Sequence, residues 1–212
     1  MSPEKPVALL HSYLPDREGR KIPDKLGRIG VLAASELYRK GENRKGEISK
    51  ICITVEPYLA SLLTKRLNTL LNNPPIEDLV VLPQAVSTFG EVETFRKLAD
   101  ENDWNNLLTI GNHEHLPRIR RVIDNVFPET DKKIDTTSPK EILSKYPRYK
   151  NILDDMENWP EQQSFNRVER IINIVRKIPF LKNFAESHFS EVLPSKIALH
   201  AWIFRQSEKR NI

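Results

Sequence analysis

The first 127 residues alternate between short apolar runs and longer segments in which apolar positions recur every three or four residues. Short continuous apolar runs are typical of strands that are buried on both faces of a parallel sheet. They lie at residues 7–13, 48–55, 77–85 and 106–112. The segments with helical spacing lie at residues 24–42, 56–73, 87–103 and 115–127. This alternation predicts a Rossmann-like α/β fold, with a parallel sheet and helices on both of its faces.

The pattern changes after residue 127. All seven glycines lie at or before Gly111, whereas the later residues have helical spacing interrupted by prolines. Residues 131–139, with the sequence DKKIDTTSP, are predicted to form a linker. We therefore expect an α/β domain over residues 1–130 and a helical region over residues 131–212 that packs on it.

The composition is that of a soluble globular protein, with 39% hydrophobic and 29% charged residues. The net charge of +4 is spread thinly along the chain, which argues against a nucleic-acid partner. The single cysteine, Cys52, excludes a disulfide framework and a cysteine-based zinc site. No apolar run approaches the roughly 20 residues that span a bilayer, and none resembles a signal peptide. We expect a cytoplasmic protein without membrane contact.

Polar residues follow each predicted strand, at the edge where open parallel sheets bind ligands. They are His11, Ser12 and Tyr13 after the first strand, Thr54, Glu56 and Tyr58 after the second, Gln84, Ser87, Thr88 and Glu91 after the third, and Asn112, His113, Glu114, His115 and Arg118 after the fourth. This edge is the predicted site.

Arg118 stands in the first turn of the fourth predicted helix, which Pro117 opens. A cation there opposes the helix dipole at a cost of roughly 0.3–1 kcal/mol. Together with free backbone N–H groups, the guanidinium would form an anion site. The alternatives are a structural ion pair with Glu91 or Glu114, and a nucleic-acid contact.

His113 and His115 are two residues apart, a spacing that points both side chains to one side of an extended segment. A metal site is conceivable but weakly indicated, and none is predicted. His115 is interpreted as a pocket histidine that serves as a hydrogen-bond donor or a general acid/base. His113 is interpreted as a loop residue without a role.

Thr88 and Glu91 have the spacing of a capping box, which would explain both without a ligand. Contact of Ser87, Thr88 or Glu91 with a ligand is compatible with capping. The chain has no G-x-G-x-x-G motif, P-loop or G-x-S-x-G elbow. From its position alone, Arg28 is a solvated or packed arginine.

Three segments in order resemble the YdcF/SanA/ElyC-like family of bacterial proteins over about residues 7–127. They are LGRIGVLAASELYRKGE at 26–42, VSTFGEVETFRKL at 86–98 and LLTIGNHEHLPRIRRV at 107–122. The resemblance implies a Rossmann-like domain in which Arg28, Ser87, Thr88, Glu91, His115 and Arg118 share a pocket.

The activity of that family is poorly defined. Some members are linked to cell-envelope polysaccharide or peptidoglycan metabolism, and S-adenosylmethionine binding has been suggested for one branch. The family typically has Ser-Gly-Gly after its second strand, where this chain has Val55, Glu56 and Pro57. Many members also carry an N-terminal membrane anchor, which has no counterpart here.

Together these features predict a pocket for a small anionic metabolite, such as a nucleotide, S-adenosylmethionine or a sugar phosphate. If the protein is an enzyme, we expect transfer or hydrolysis at a phosphoryl or glycosyl centre. The expected roles are acid/base for His115, base or orienting group for Glu91, and ligand binding for His11, Arg28, Ser87, Thr88 and Arg118.

The alternatives are a non-enzymatic binding module and, less favoured, a nucleic-acid protein. In the first, the helical region would mediate protein contacts or homo-oligomer formation. In the second, the basic stretches at residues 118–121 and 205–210 would bind phosphates.

Overall fold

The chain forms two compact units, residues 1–166 and 167–212. In this computed structural model, the residues described are 4–11, 25–38, 46–54, 64–65, 67–71, 75–82, 88–128, 131–159, 162–163, 166 and 170. All but residue 170 belong to the first unit.

Five strands and five helices make up most of the described unit. The strands are β1 (Val7–Leu10), β2 (Lys50–Thr54), β3 (Leu79–Leu82), β4 (Asn106–Ile110) and β5 (Lys133–Thr137). The helices are α1 (Lys25–Tyr38), α2 (Thr88–Glu101), α3 (Leu116–Val126), α4 (Pro139–Leu143) and α5 (Lys150–Met156). Residues 64–65 and 67–70 are also helical, within the helix predicted between β2 and β3.

The strands form one parallel sheet in the order β3-β2-β1-β4-β5. This topology, with helices on both faces, confirms the Rossmann-like α/β prediction. From β1 the chain adds strands in one direction as far as β3, and then returns to place β4 on the other side of β1. The strand order therefore reverses between β1 and β4, which is the switch point where sheets of this kind leave a crevice.

Apolar side chains on both faces of the strands bury the sheet, which explains the continuous apolar runs. On one face, Ala8 and Leu10 of β1 belong to a buried cluster that includes residues of α1 and α4. On the other face, Leu9 belongs to a cluster with Phe95 of α2 and Ile119 of α3. Each large buried side chain contributes roughly 1.5–3 kcal/mol. Helices α1 and α3 thus lie on opposite faces of the sheet.

The prediction that residues 131–139 form a linker was wrong. Residues 133–137 are β5, which pairs with β4 in parallel register over its full length. The strand has the sequence KIDTT, and its side chains are exposed or half-buried, so it lacks the apolar run that marks the other strands. Ser138 then opens α4 with a capping box that it shares with Glu141.

Helices were predicted throughout the later part of the chain. Helices α4 and α5 agree with that prediction. Of the helices predicted after residue 163, the structure describes residues 166 and 170, which are both helical. The rest of these helices and their packing on the α/β domain lie outside the described residues and stay predictions. Among the helices that the structure describes, none combines the length and apolarity required to cross a membrane.

Two glycines differ in what an added methyl group would meet. A Cβ at Gly46 would lie 2.5 Å from the backbone oxygen of Tyr38, whereas a Cβ at Gly30 would lie 3.0 Å from the Leu10 Cδ1 atom. A backbone atom cannot move without disturbing the end of α1, but the end of a leucine side chain can rotate. Gly46 is therefore required for the close approach to α1.

We predict that Gly46→Ala lowers the free energy of unfolding by about 1–3 kcal/mol through this overlap. Gly30→Ala is the matched control, because the better helix propensity of alanine, about 1 kcal/mol, offsets the milder contact with Leu10. Urea denaturation of both variants gives the comparison. Equal stability of Gly46→Ala and the parent protein would contradict this account.

Candidate functional site

The candidate site lies where β1 and β4 end side by side. His11 directly follows β1, and its backbone N–H donates to the Ile110 carbonyl at the end of β4 at 3.0 Å. After β4 the chain continues through a 3-10 turn, His113–His115, into α3. Helices α1 and α3, which follow β1 and β4 in the chain, lie on opposite faces of the sheet, and a switch point of this kind is where open α/β sheets bind ligands.

A buried carboxylate joins three elements at this edge. Glu91, in the first turn of α2, is 3% exposed. Its Oε2 accepts a hydrogen bond from His11 Nδ1 at 2.7 Å, and its Oε1 accepts one from Thr54 Oγ1, at the end of β2, also at 2.7 Å. A buried charge is tolerated only with such partners. Glu91 therefore fixes the ends of β1 and β2 against the start of α2.

The hydrogen bond to Glu91 sets the tautomer of a neutral His11 ring. A carboxylate can only accept, so the proton is on Nδ1 and a neutral ring has its lone pair on Nε2. His11 is 2% exposed, and its Nε2 has no hydrogen-bond partner among the described residues. Leaving a buried polar atom unsatisfied costs roughly 1–3 kcal/mol. Native proteins retain few such atoms, and a functional site is one reason to keep one.

His115 has the opposite arrangement. Arg118 Nε donates to His115 Nδ1 at 3.1 Å, and because a guanidinium only donates, Nδ1 must accept. The neutral ring then carries its proton on Nε2, which lies 3.1 Å from Thr88 Oγ1. Arg118 Nη2 also lies 3.3 Å from Nε2, but both nitrogens carry protons in this tautomer, so this contact is not a hydrogen bond. His115 therefore links the start of α2 to the first turn of α3.

The two histidine rings are neighbours. Their centroids are 6.2 Å apart and the rings are nearly perpendicular, so the pair His11–Glu91 and the pair His115–Arg118 form one cluster. Its members are His11, Thr54, Thr88, Glu91, His115 and Arg118. We call this set the switch-point cluster.

Of the seven residues predicted to have catalytic or ligand-binding roles, five belong to the switch-point cluster: His11, Thr88, Glu91, His115 and Arg118. Arg28 lies in the first turn of α1 with an exposed side chain, so it is not part of the buried group. Ser87 and Glu56 lie outside the described residues. The ligand-binding and catalytic roles stay predictions.

Capping is not a sufficient explanation of Thr88 and Glu91. Both carboxylate oxygens of Glu91 accept hydrogen bonds from side chains on other elements, and the Thr88 hydroxyl contacts His115. The two residues therefore have partners on other elements, beyond the local capping that their spacing predicts. Thr54 was noted only as a polar residue after β2, and its role as the second donor to Glu91 was missed.

The idea that His113 and His115 point the same way was also wrong. Both residues lie in a 3-10 turn rather than an extended segment. Each residue of such a turn rotates the side-chain direction by about 120°, so residues two apart point in different directions. His113 is exposed, with its Nδ1 3.8 Å from Glu141 Oε1, whereas His115 is buried.

Asn112 organises the start of this turn. Its Oδ1 accepts from the Glu114 backbone N–H at 3.1 Å, and its Nδ2 donates to Gln162 Oε1 at 2.7 Å. Gln162 is buried and also donates to Asn166 at 2.6 Å. Sequence analysis missed Gln162, because a partner fifty residues away leaves no local pattern.

Metal and thiol chemistry receive no support from the part of the chain that the structure describes. Within it, no group of three or more His, Cys, Asp and Glu side chains could hold a metal ion. Burial raises the pKa of the Cys52 thiol to about 12, against a smaller opposite effect of Lys50. Cys52 is therefore protonated at neutral pH and is a core residue.

Comparison of the chain with models of protein families, with curated proteins and with solved structures gives no match. The resemblance to the YdcF/SanA/ElyC-like family stays a prediction, and the functional argument is based on the geometry of the switch-point cluster.

We predict that Thr54→Val destabilises the fold by about 1–3 kcal/mol, because it leaves a buried oxygen of Glu91 without its donor. The matched control is Thr109→Val on β4. Thr109 is equally buried, but its hydroxyl has no hydrogen-bond partner among the described residues, so valine removes no bond. Thermal and urea denaturation measure both. Equal losses of stability would contradict the role given to Thr54.

Proposed function

We propose that the protein binds a small anionic metabolite at the crevice between β1 and β4, and that its phosphate or equivalent group is held by Arg118. The observation that carries this proposal is the hydrogen-bonded chain from Arg118 through His115 to Thr88, beside the unsatisfied nitrogen of His11. Nucleotides, S-adenosylmethionine and sugar phosphates are the candidate ligands.

The charges of the switch-point cluster favour an anion. The negative charge of Glu91 is buried and is met by donors on His11 and Thr54. Arg118, by contrast, is half-buried and contacts a neutral imidazole. A planar guanidinium suits bidentate contact with a phosphate or carboxylate.

The hydrogen-bond direction also favours an acceptor ligand. His115 Nε2–H donates to Thr88 Oγ1, which leaves the Thr88 hydroxyl proton to donate onward. Helices α2 and α3 both begin at this edge, and helix N-termini carry partial positive charge that favours anions. A ligand here would meet donors from two helices.

The resemblance to the YdcF/SanA/ElyC-like family supports the same kind of ligand, and it favours a role in envelope polysaccharide metabolism. A carrier of activated sugars in such metabolism is commonly a nucleotide or a phosphate ester. Both belong to the class of ligand proposed here.

We predict that Arg118→Ala weakens binding of a phosphate-bearing ligand by roughly 10–100-fold, the equivalent of one or two charge-assisted hydrogen bonds. Isothermal titration with AMP and ribose 5-phosphate measures the effect, and S-adenosylmethionine, which offers a carboxylate and no phosphate, is titrated for comparison. Arg120→Ala is the matched control. Arg120 lies on the same helix but donates to Thr136, so the Arg120→Ala variant should bind the ligands as the parent protein does.

Two results would refute the proposal. One is the absence of saturable binding for all three ligands. The other is equal affinity of the parent, Arg118→Ala and Arg120→Ala.

A further inference from the structure

One ring nitrogen of the switch-point cluster differs from the other three. Both nitrogens of His115 have side-chain contacts, and His11 Nδ1 donates to Glu91. Of these four ring nitrogens, His11 Nε2 alone is buried without a hydrogen-bond partner among the described residues. With the proton on Nδ1, this nitrogen presents a lone pair, so it can accept a proton.

Glu91 gives His11 the two properties that a base requires. It fixes the tautomer in which Nε2 is unprotonated, and its negative charge stabilises the imidazolium that forms when a proton arrives. Thr54 in turn holds the second oxygen of Glu91 at 2.7 Å, so the carboxylate cannot rotate without losing a bond. The orientation of His11 is therefore determined from two strands and a helix.

The location of this base matches the proposed anion site. His11 ends β1 at the switch point, and its ring lies 6.2 Å from that of His115, centroid to centroid. His115 contacts Arg118 and Thr88, the two groups proposed to hold the anion. A base on one side and anion donors on the other is the arrangement needed to activate a hydroxyl group next to a bound phosphate.

The buried carboxylates among the described residues do not fit a pair for glycosyl chemistry. Glycoside hydrolysis ordinarily uses two carboxylates, one on each side of the scissile bond. Among the described residues, Glu36 and Glu91 are the buried carboxylates. Both oxygens of Glu91 are hydrogen-bonded, and Glu36 accepts from Tyr149 and Arg148. Neither is therefore an open acid or nucleophile.

We propose that His11, positioned by Glu91, is the general base of a reaction at a phosphate ester, an inference that rests on the proposed function. A water or alcohol oxygen bonds to phosphorus as its proton passes to His11 Nε2. The phosphorus–oxygen bond to the leaving group breaks, and that oxygen keeps the electron pair. The imidazolium then returns its proton to the leaving oxygen or to solvent.

The tautomers of the histidines test the first part of this proposal without a substrate. Long-range proton–nitrogen correlation on protein labelled with ¹⁵N-histidine distinguishes the two nitrogens of each ring. We expect the Nδ1–H form for His11, assigned by its loss in His11→Gln, and the Nε2–H form for His115. Glu91→Gln should weaken the preference of His11 for its tautomer. An Nε2–H form of His11 in the parent protein would overturn the proposal.

Hydrolysis of p-nitrophenyl phosphate and bis(p-nitrophenyl) phosphate, followed by nitrophenolate release, tests the second part. His11→Gln should lower kcat by about 10²–10⁴-fold, the usual contribution of a general base, while KM changes little. Glu91→Gln, as a positioning change, should lower kcat by roughly 10–100-fold and alter the pH profile of kcat. His113→Gln, which removes an exposed histidine on the adjacent turn, is the control and should behave as the parent.

Binding of inorganic phosphate, measured by titration in the same variants, separates the two proposals. If phosphate binding depends on Arg118 but neither ester is hydrolysed, or if His11→Gln hydrolyses them as the parent does, the base role fails and the binding site remains. If neither phosphate nor the phosphate-bearing metabolites bind, the proposed function fails and this inference fails with it.

Discussion

The structure of the site depends on one buried carboxylate. Glu91 is almost fully removed from water, so the fold must supply donors to both of its oxygens, and it does so from the ends of β1 and β2. Those strands are adjacent in the sheet, and α2 begins above them. A single ionic group thus couples the positions of two strands and a helix, and it fixes the ring of His11.

The function proposed for the protein follows from the different hydrogen-bond states of its two buried histidines. The bond to Glu91 leaves Nε2 of a neutral His11 as a hydrogen-bond acceptor, whereas the bond from Arg118 leaves Nε2 of a neutral His115 as a donor. One crevice therefore offers a proton acceptor and a set of donors within a short distance. An anionic ligand with a reacting hydroxyl group would meet complementary groups at both ends.

The strand order places these groups at the switch point, and this much could be predicted from the sequence. Four strands were predicted from continuous apolar runs, and five of the seven residues predicted to have catalytic or ligand-binding roles belong to the switch-point cluster. What could not be predicted is pairing across the chain, such as that of His11 with Glu91, 80 residues apart. The spacing of Thr88 and Glu91 instead predicted a capping box at the start of α2.

The remaining errors have similar physical causes. Strand β5 has no apolar run because its side chains are not fully buried, so its polar sequence resembled a linker. His113 and His115 point in different directions because they lie in a 3-10 turn. No local sequence pattern distinguished this turn from an extended loop. Gln162 reaches Asn112 from outside the region that the resemblance covers.

The proposed function requires that the switch-point cluster encloses one site, with His11 Nε2 and Arg118 facing the same bound group. A crystal structure of the protein grown with inorganic phosphate tests it most directly. The account predicts phosphate density in contact with the Arg118 guanidinium, together with a water or phosphate oxygen within hydrogen-bond distance of His11 Nε2. It is contradicted if apolar side chains close over His11 Nε2, or if phosphate binds elsewhere and leaves Arg118 without it.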